Sequence, residues 1–145
     1  MKIITDNRRA YFEYHILDTF QAGICLKGSE VKSAMNGHMS LSDGFCRIEK
    51  REIYLKNAYI KPYDKGSHFN SLDRRDRKLL LHRSEINKIS SKLRDSGITI
   101  IPLKAYFLKG KIKIDIAIVK GKKLHDKKQS IKERDIIRSV EREWK

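Results

Sequence analysis

The pattern that most constrains the fold is an alternating segment in the C-terminal half of the chain. Over Ile112–Ile118, isoleucines occupy every second position, so apolar side chains share one face of a strand and polar side chains share the other. The preceding segment, Ile98–Leu108, is also strand-like, and Lys109-Gly110 provides a two-residue turn between them. Pro102 cannot donate a backbone hydrogen bond, which favours a sheet edge or a bend at that point. The pattern predicts an antiparallel β-hairpin.

The first half of the chain supplies further predicted strands. Alternating apolar residues predict a half-buried strand over Phe12–Ile16, and a second strand follows over Phe20–Leu26. Ser40–Ile48 and Ile53–Ile60 also have apolar positions at period two, and a charged connection between them suits an exposed hairpin. Together with the C-terminal hairpin, these segments amount to about six strands.

Two helices are predicted between the strands. Glu30–Met35 forms a short helix capped by Ser29, and Asn36-Gly37 closes it with left-handed residues. The second helix runs from Ser84 to Gly97, because its isoleucines and leucine recur at helical spacing. The segment 62–77 has no periodicity and is rich in turn-forming and charged residues, which predicts a mobile surface loop.

These elements predict a mainly β protein. Antiparallel hairpins with about six strands favour a small closed barrel of the oligonucleotide-binding (OB) type, because closure removes exposed strand edges. Two or three helices would flank this OB-like barrel. The basic C-terminal tail, Asp126–Lys145, has too few apolar groups to offset the entropy of ordering it alone. Ile137, Val140 and Trp144 are spaced for one helical face, so we expect a tail that is disordered when free and helical against a partner.

The charge balance predicts a polyanionic partner. The chain has 145 residues, which suits one domain with an extension, and 33 Lys and Arg against 18 Asp and Glu give a net charge of +15. Nucleic acid is the default partner of such a surface, and no long apolar run favours a membrane instead. The densest basic stretch is Lys120–Lys128, for which a merely solvated loop is the alternative interpretation.

No catalytic motif stands out in the sequence. There is no glycine-rich phosphate loop, nucleophile elbow or paired-histidine metal motif, so an enzyme is not expected. Cys25 and Cys46 lack the spacing of a zinc site and are expected to be reduced core residues. A nuclease built on Asp43, Asp64 and Asp115 is a minor alternative, because nothing in their spacing brings them together.

Several motifs in register resemble the small protein B (SmpB) family, the bacterial partners of transfer-messenger RNA (tmRNA). The order and spacing of the matching segments run through nearly the whole chain. They are Asn7-Arg8-Arg9-Ala10, the strand Phe20–Leu26, Gly28-Ser29-Glu30-Val31-Lys32-Ser33, Leu41-Ser42-Asp43, Arg77-Lys78-Leu79-Leu80-Leu81, and Lys120–Asp126 followed by Ile131-Lys132-Glu133-Arg134.

The resemblance implies a function as well as a fold. The family has an OB-like barrel with flanking helices. That barrel binds the tRNA-like domain of tmRNA, and the tail enters the decoding centre and mRNA channel of a stalled ribosome. By this resemblance the chain is a cytoplasmic, non-enzymatic adaptor of trans-translation without cofactor or metal, with elongation factor Tu in the delivery complex. Residues 1–125 would form the RNA-binding barrel and residues 126–145 the tail. A general single-stranded nucleic-acid-binding OB-fold protein is the alternative.

The resemblance also assigns candidate residues. RNA binding is expected at Asn7, Arg8, Arg9, Gln21, Ala22, Gly23, Lys32, Arg77, Lys78, Lys120, Gly121, Lys122 and Lys123. Ribosome binding is expected at His125, Asp126, Lys127, Lys128, Lys132, Arg134 and Trp144. Glu30 either caps its helix or braces RNA-binding residues. Two positions depart from the family pattern: Gln21 replaces an acid, and Lys128 replaces an arginine whose planar fork lysine lacks.

Overall fold

The computed structural model describes residues 1–62 and 73–122. The predicted tail, and residues 63–72 of the predicted loop, lie outside this range. Within it, the helices are α1 (Arg8–Glu13), α2 (Gly28–Met35) and α3 (Arg83–Lys92). The strands are β1 (Lys2–Asp6), β2 (Tyr14–Ile24), β3 (Met39–Ser40), β4 (Phe45–Glu49), β5 (Glu52–Lys56), β6 (Tyr59–Ile60), β7 (Arg77–Leu80), β8 (Ile98–Leu108) and β9 (Lys111–Gly121).

Six of the strands form a closed antiparallel ring. The hydrogen-bonded order is β8, β4, β5, β7, β2 and β9, and β9 pairs back onto β8 to close it. β1 adds to β8 outside the ring, whereas β3 and β6 form a separate two-stranded sheet. Because the ring is closed, each of its strands pairs with a neighbouring strand on both sides. The prediction of a mainly β fold with about six antiparallel strands and two or three flanking helices is confirmed.

The β8–β9 hairpin forms as its alternation predicted. Ile114, Ile116 and Ile118 are at most 1% exposed and belong to the core inside the ring. Lys109 and Gly110 both have positive φ in the turn, which matches the twist of a tight hairpin. Local alternation and turn chemistry therefore specify the hairpin correctly.

Pro102 adjoins an irregularity in the β8–β9 ladder, and β8 is not an edge strand. The β8–β9 register shifts between Pro102 and Lys104. On its other side, β8 pairs with β4 at Ile100 and with β1 from Lys104 onward. Pro102 falls between these two pairings, so its missing N–H removes no ladder hydrogen bond there.

The N-terminal predictions need correction. Phe12–Ile16 is not a separate strand, because its first residues belong to α1 and its last residues begin β2. The predicted strand Phe20–Leu26 is the second half of β2, which is one continuous strand. Ala10 of α1 packs in a small cluster on the outer face of the sheet against Leu103 and Val119, and this contact stabilises a helix only six residues long.

The cap of α2 also differs from the prediction. The helix begins one residue before Ser29, and Lys27 stands at its N-cap. The Lys27 N–H donates to Glu30 Oε1 at 2.9 Å, so the acid at the third helical position satisfies this backbone donor. At the C-terminal end, only Gly37 has positive φ, because Asn36 lies at φ −85°.

The second predicted helix and the two cysteines agree only in part with the predictions. α3 buries Ile86 and Ile89, as the helical spacing predicted, but it ends at Lys92 rather than at Gly97. Both cysteines are free; Cys46 is buried as expected, whereas Cys25 is exposed because it follows the end of β2. In the part of the chain that the structure describes, no helix has the length and apolar character that crossing a membrane requires.

Candidate nucleic-acid interface

One row of residues crosses the outer face of five neighbouring strands. Ile3 lies opposite Tyr106, Tyr106 opposite Lys113, Lys113 opposite Gly23, and Gly23 opposite Leu80. Side chains alternate between the two faces of a strand, so this row faces away from the core. The chain neighbours that point into the core are Ala22, Leu79, Ala105, Ile112 and Ile114.

Part of this row lines a groove of about 330 Å³ that combines apolar and basic side chains. Leu80 is 52% exposed and Val31 of α2 is 37% exposed, so both present apolar surface. Lys111 and Lys113 of β9 line the same groove. A Cβ on Gly23 would lie 3.2 Å from the Leu80 Cβ, so only glycine fits beside this leucine without displacing it. The groove can hold a flat apolar group while lysines reach nearby phosphates.

A polar row runs beside the groove. Gln21 lies opposite Asp115, and Asp115 lies opposite Lys104. Gln21 Nε2 donates to Tyr106 Oη at 2.6 Å, and the Tyr106 hydroxyl donates to Asp115 Oδ1 at 2.6 Å. Lys104 Nζ lies 3.8 Å from Asp115 Oδ2. Burial, and then the Asp115 carboxylate, raise the pKa of Tyr106, so its hydroxyl keeps its proton at neutral pH.

A second basic surface lies where α1 meets the ends of β2 and β9. We call it the α1 edge and define it by Arg8, Arg9, Lys120 and Lys122. The backbone N–H of Lys122 donates to the Glu13 carbonyl at 2.8 Å, which ties the end of β9 to α1. Arg9 Nε lies 2.7 Å from Glu13 Oε1, and this hydrogen bond raises the pKa of Arg9. The structure therefore brings together predicted RNA-binding residues that are more than a hundred positions apart in sequence.

Four predicted RNA-binding residues are buried, namely Gly23 in the groove and Asn7, Ala22 and Arg77 elsewhere in the fold. Ala22 is 1% exposed, Asn7 is 5% exposed and Arg77 is 0% exposed, so their side chains offer no surface to RNA. Asn7 Nδ2 donates to the carbonyls of Pro102 at 2.9 Å and Leu41 at 3.4 Å. It therefore joins the start of α1 to two other parts of the fold.

Arg77 belongs to a buried ionic cluster that we call the Glu30 clasp, formed by Glu30, Arg75 and Arg77. Arg77 Nε donates to Glu30 Oε2 at 2.8 Å, and Arg77 Nη1 donates to the Ala58 carbonyl at 2.8 Å. Arg75 binds Glu30 through both Nε and Nη2. Glu30 thus caps α2, which is one of the two roles considered from the sequence, and also pairs with two arginines.

The protonation of Glu30 reflects these contacts. Burial by itself would raise the pKa of Glu30. Hydrogen bonds from Arg75, from the Lys27 backbone N–H and from Arg77 outweigh burial and hold the pKa below its usual range. The clasp is therefore held together by an ionised carboxylate, and it fixes α2 against the strand that carries Leu80.

The other predicted residues divide into two groups. Lys32 and Lys78 are exposed, on α2 and β7, close in sequence to the groove residues Val31 and Leu80. Lys123 and all the predicted ribosome contacts lie outside the described residues. Of the residues that line the groove only Gly23 was predicted, so Val31, Leu80, Lys111 and Lys113 were all missed. The alternating lysines of β9 were visible in the sequence. Only the cross-strand register shows that Lys113 lies in one row with Gly23 and Leu80.

The acids considered for a nuclease have separate partners. Asp43 lies 3.7 Å from Arg74, and Asp115 accepts from Tyr106. Over residues 1–62 and 73–122, no group of three or more His, Cys, Asp or Glu side chains is arranged to hold a metal ion. Asp64 lies outside this range.

Comparison with known proteins agrees with these features. The family model described as SmpB protein matches residues 4–145. The SsrA-binding protein of Caldicellulosiruptor saccharolyticus is 49% identical over 145 residues, which cover 100% of this chain and 92% of that protein. The SsrA-binding protein of Trichormus variabilis is 50% identical, with 99% of this chain and 94% of that protein covered.

A solved structure shares the fold. It is described as "tmRNA-SmpB: a journey to the center of the bacterial ribosome", is 44% identical and has a TM-score of 0.70, with 88% of this chain and 93% of that chain covered. The family match, the curated relatives and this structural likeness all extend over most of the sequence. The chain therefore belongs to the SmpB family.

Proposed function

We propose that this protein is an RNA-binding adaptor of trans-translation. It binds the tRNA-like domain of tmRNA and delivers it to stalled ribosomes, where the stranded peptide is tagged and the ribosome is released. Family membership and the likeness to a structure described as tmRNA-SmpB support this function. The observation that carries it is the outer face of the sheet, where β1 and four strands of the ring present one apolar and basic surface.

The groove suits a structured RNA. Leu80 of the groove and Ile3 of the same cross-strand row, each about half exposed, offer apolar contacts to a base or ribose. Lys111 and Lys113 of the groove neutralise phosphates. Gln21 adds a hydrogen-bonding group beside them. Such a surface binds and orients RNA without chemical change, which supports a non-enzymatic role.

A second RNA surface follows from the position of the α1 edge. Its lysines lead directly into the segment from Lys123, so residues 1–125 would hold tmRNA while the tail 126–145 engages the decoding centre and mRNA channel. In this proposal the tail is disordered when free and helical on the ribosome, and His125, Asp126, Lys127, Lys128, Lys132, Arg134 and Trp144 contact the ribosome. Elongation factor Tu takes part in the cytoplasmic delivery complex.

The function is tested by RNA competition at about 150 mM salt, where weak phosphate contacts are screened. The full chain should prefer a tRNA-like RNA from tmRNA over an unstructured RNA of the same length. Leu80→Ala should reduce that preference, whereas Ser90→Ala, on exposed α3, should not. Equal affinity of the full chain for both RNAs would favour the general single-stranded nucleic-acid-binding protein.

The division of labour is tested by deleting residues 126–145. RNA affinity should stay within about tenfold of the full chain, roughly 1.4 kcal/mol, because the groove is intact. Peptide tagging on stalled ribosomes should be abolished. A truncated protein that still tags would show that the tail is not the ribosome-binding part.

A further inference from the structure

We propose that Tyr106 and Asp115 are positioning residues that orient the side-chain amide of Gln21, so that its oxygen faces the RNA. Gln21 would then act as a hydrogen-bond acceptor for a ribose 2′-hydroxyl or a base amino group. This inference deepens the proposed function and rests on RNA binding at the outer face of the ring. It assigns a role to two residues that the groove itself does not use.

The direction of the hydrogen-bond chain follows from its end. An ionised carboxylate has no proton to donate, so Asp115 must accept, and Lys104 Nζ lies 3.8 Å from the other carboxylate oxygen, Asp115 Oδ2. The Tyr106 hydroxyl has one proton, which it gives to Asp115 at 2.6 Å. Tyr106 Oη can then only accept from Gln21, and of the two Gln21 end groups only the NH₂ can donate.

This chain of donors fixes the Gln21 amide in one of its two flip states. With Nε2 held against Tyr106 at 2.6 Å, Oε1 occupies the other branch of the amide. Gln21 is exposed, and among residues 1–62 and 73–122 no donor is hydrogen-bonded to Oε1. The oxygen is therefore available to a partner. Phosphate oxygens cannot donate, so this acceptor discriminates between RNA groups and adds little to the salt-dependent attraction.

The orientation is tested by replacing Tyr106 in two backgrounds. In the protein that keeps Gln21, Tyr106→Phe removes the acceptor for Gln21 Nε2 and lets the side-chain amide rotate. It should therefore weaken tmRNA binding about five- to tenfold. In the Gln21→Glu background both terminal atoms are oxygens, so nothing needs to be oriented. There, Tyr106→Phe should change affinity by less than about twofold.

Asp115→Asn provides an independent variant of nearly the same shape. The new amide can donate to Tyr106, which allows the hydrogen-bond chain to reverse and the Gln21 amide to flip. We expect the same background dependence as for Tyr106→Phe. Urea unfolding of every variant shows whether the fold is intact at the temperature of the binding assay.

The outcome separates positioning from other roles. A Tyr106 hydroxyl that merely supports the fold, or that contacts RNA itself, would cost the same affinity in both backgrounds. An equal or larger cost in the Gln21→Glu background, or no cost in the protein that keeps Gln21, would overturn the inference. Failure of the proposed function is a different result, namely no preference for tRNA-like RNA by the unchanged chain.

The two possible donors on RNA are distinguished with modified RNA. Loss of the Tyr106 effect with 2′-deoxy substitutions identifies a ribose hydroxyl as the donor. Loss with inosine in place of guanosine, or with an analogue of adenosine or cytidine that lacks the exocyclic amino group, identifies a base amino group. If the effect persists with both modifications at every contacted nucleotide, Gln21 accepts from neither group and the inference is wrong.

Discussion

The Glu30 clasp and the α1 edge use the same residue types in opposite ways. In the clasp, Arg77 is 0% and Glu30 is 4% exposed, and each hydrogen bond that Arg77 makes is to a group of the protein. At the α1 edge, the Arg9 side chain is 62% exposed and has one carboxylate partner, Glu13. Buried charges are costly unless they are paired, whereas exposed cations remain available to a polyanion.

Because the clasp is buried and the α1 edge is exposed, substitutions in the two regions should change different measured quantities. Changes in the clasp should alter the free energy of unfolding, because they leave an uncompensated charge in the protein interior. Changes at the α1 edge should alter the affinity for RNA and its dependence on salt, with little effect on stability. A basic residue that behaved in the opposite way would contradict this division.

The largest expected effect is on stability, from Arg77→Met. This variant keeps most of the side-chain volume but leaves the Glu30 carboxylate buried with only Arg75 as a charged partner, and it should lower the free energy of unfolding by about 3–5 kcal/mol. Arg74→Met is the matched control, because the Arg74 side chain is 42% exposed and its ion pair with Asp43 is 3.7 Å long. The control should cost less than about 1 kcal/mol in urea unfolding.

A double variant keeps this prediction testable if Arg77→Met does not fold. Replacing Glu30 by Met as well removes the unpaired charge and should recover part of the lost stability. Equal costs for Arg77→Met and Arg74→Met would show that burial does not distinguish the two arginines.

A smaller loss is expected from Asn7→Ala. The variant removes the amide that donates to the Pro102 and Leu41 carbonyls, and two buried acceptors lose a partner. Stability should fall by about 1–3 kcal/mol in urea unfolding. Arg8→Ala, the next residue in the chain and exposed, should change stability by less than about 0.5 kcal/mol. Similar losses of stability for the two variants would show that the buried hydrogen bonds of Asn7 do not stabilise the fold.

Acid should weaken the clasp less than mutation does, because a protonated Glu30 still offers an oxygen acceptor. The pKa of Glu30 is lower in the folded than in the unfolded protein, so its contribution is fully present above the unfolded value, about 4.3. That contribution is lost as pH falls from there through the lower folded pKa. Urea unfolding between pH 7 and pH 3 should show a flatter pH dependence for Glu30→Gln than for the unchanged chain; identical slopes would contradict the assignment.

The sequence predicted the parts of the fold that local patterns determine. Alternation over Ile112–Ile118 and the Lys109-Gly110 turn specify the β8–β9 hairpin without help from distant residues. α1 could not be predicted in this way, because the alternation of β2 extends back over its last two residues, Phe12 and Glu13. The contact of Ala10 with the outer face of the sheet decides in favour of a helix, and that contact depends on the tertiary structure.

The candidate site was predicted in its charge but not in its geometry. Arg77 and Lys78 were given the same role, although they are neighbours on β7 and point to opposite faces. Period-two alternation separates them once a strand begins at Arg77, but the sequence was predicted to form a loop up to that residue. The row that joins Gly23 to Leu80 and Lys113 depends on cross-strand register, which no single segment contains.

The smallest expected effect on stability, and the clearest on RNA binding, comes from replacing Arg8 and Arg9 together by Ala. Loss of the exposed Arg9–Glu13 pair should leave the midpoint of urea unfolding almost unchanged. If each arginine neutralises one phosphate, the slope of log affinity against log salt should become shallower by up to about two units. The control is Lys92→Ala with Arg94→Ala, two exposed cations at the end of α3, which should leave the slope unchanged. An equal change in both double variants would mean that net charge alone, and not the α1 edge, attracts the RNA.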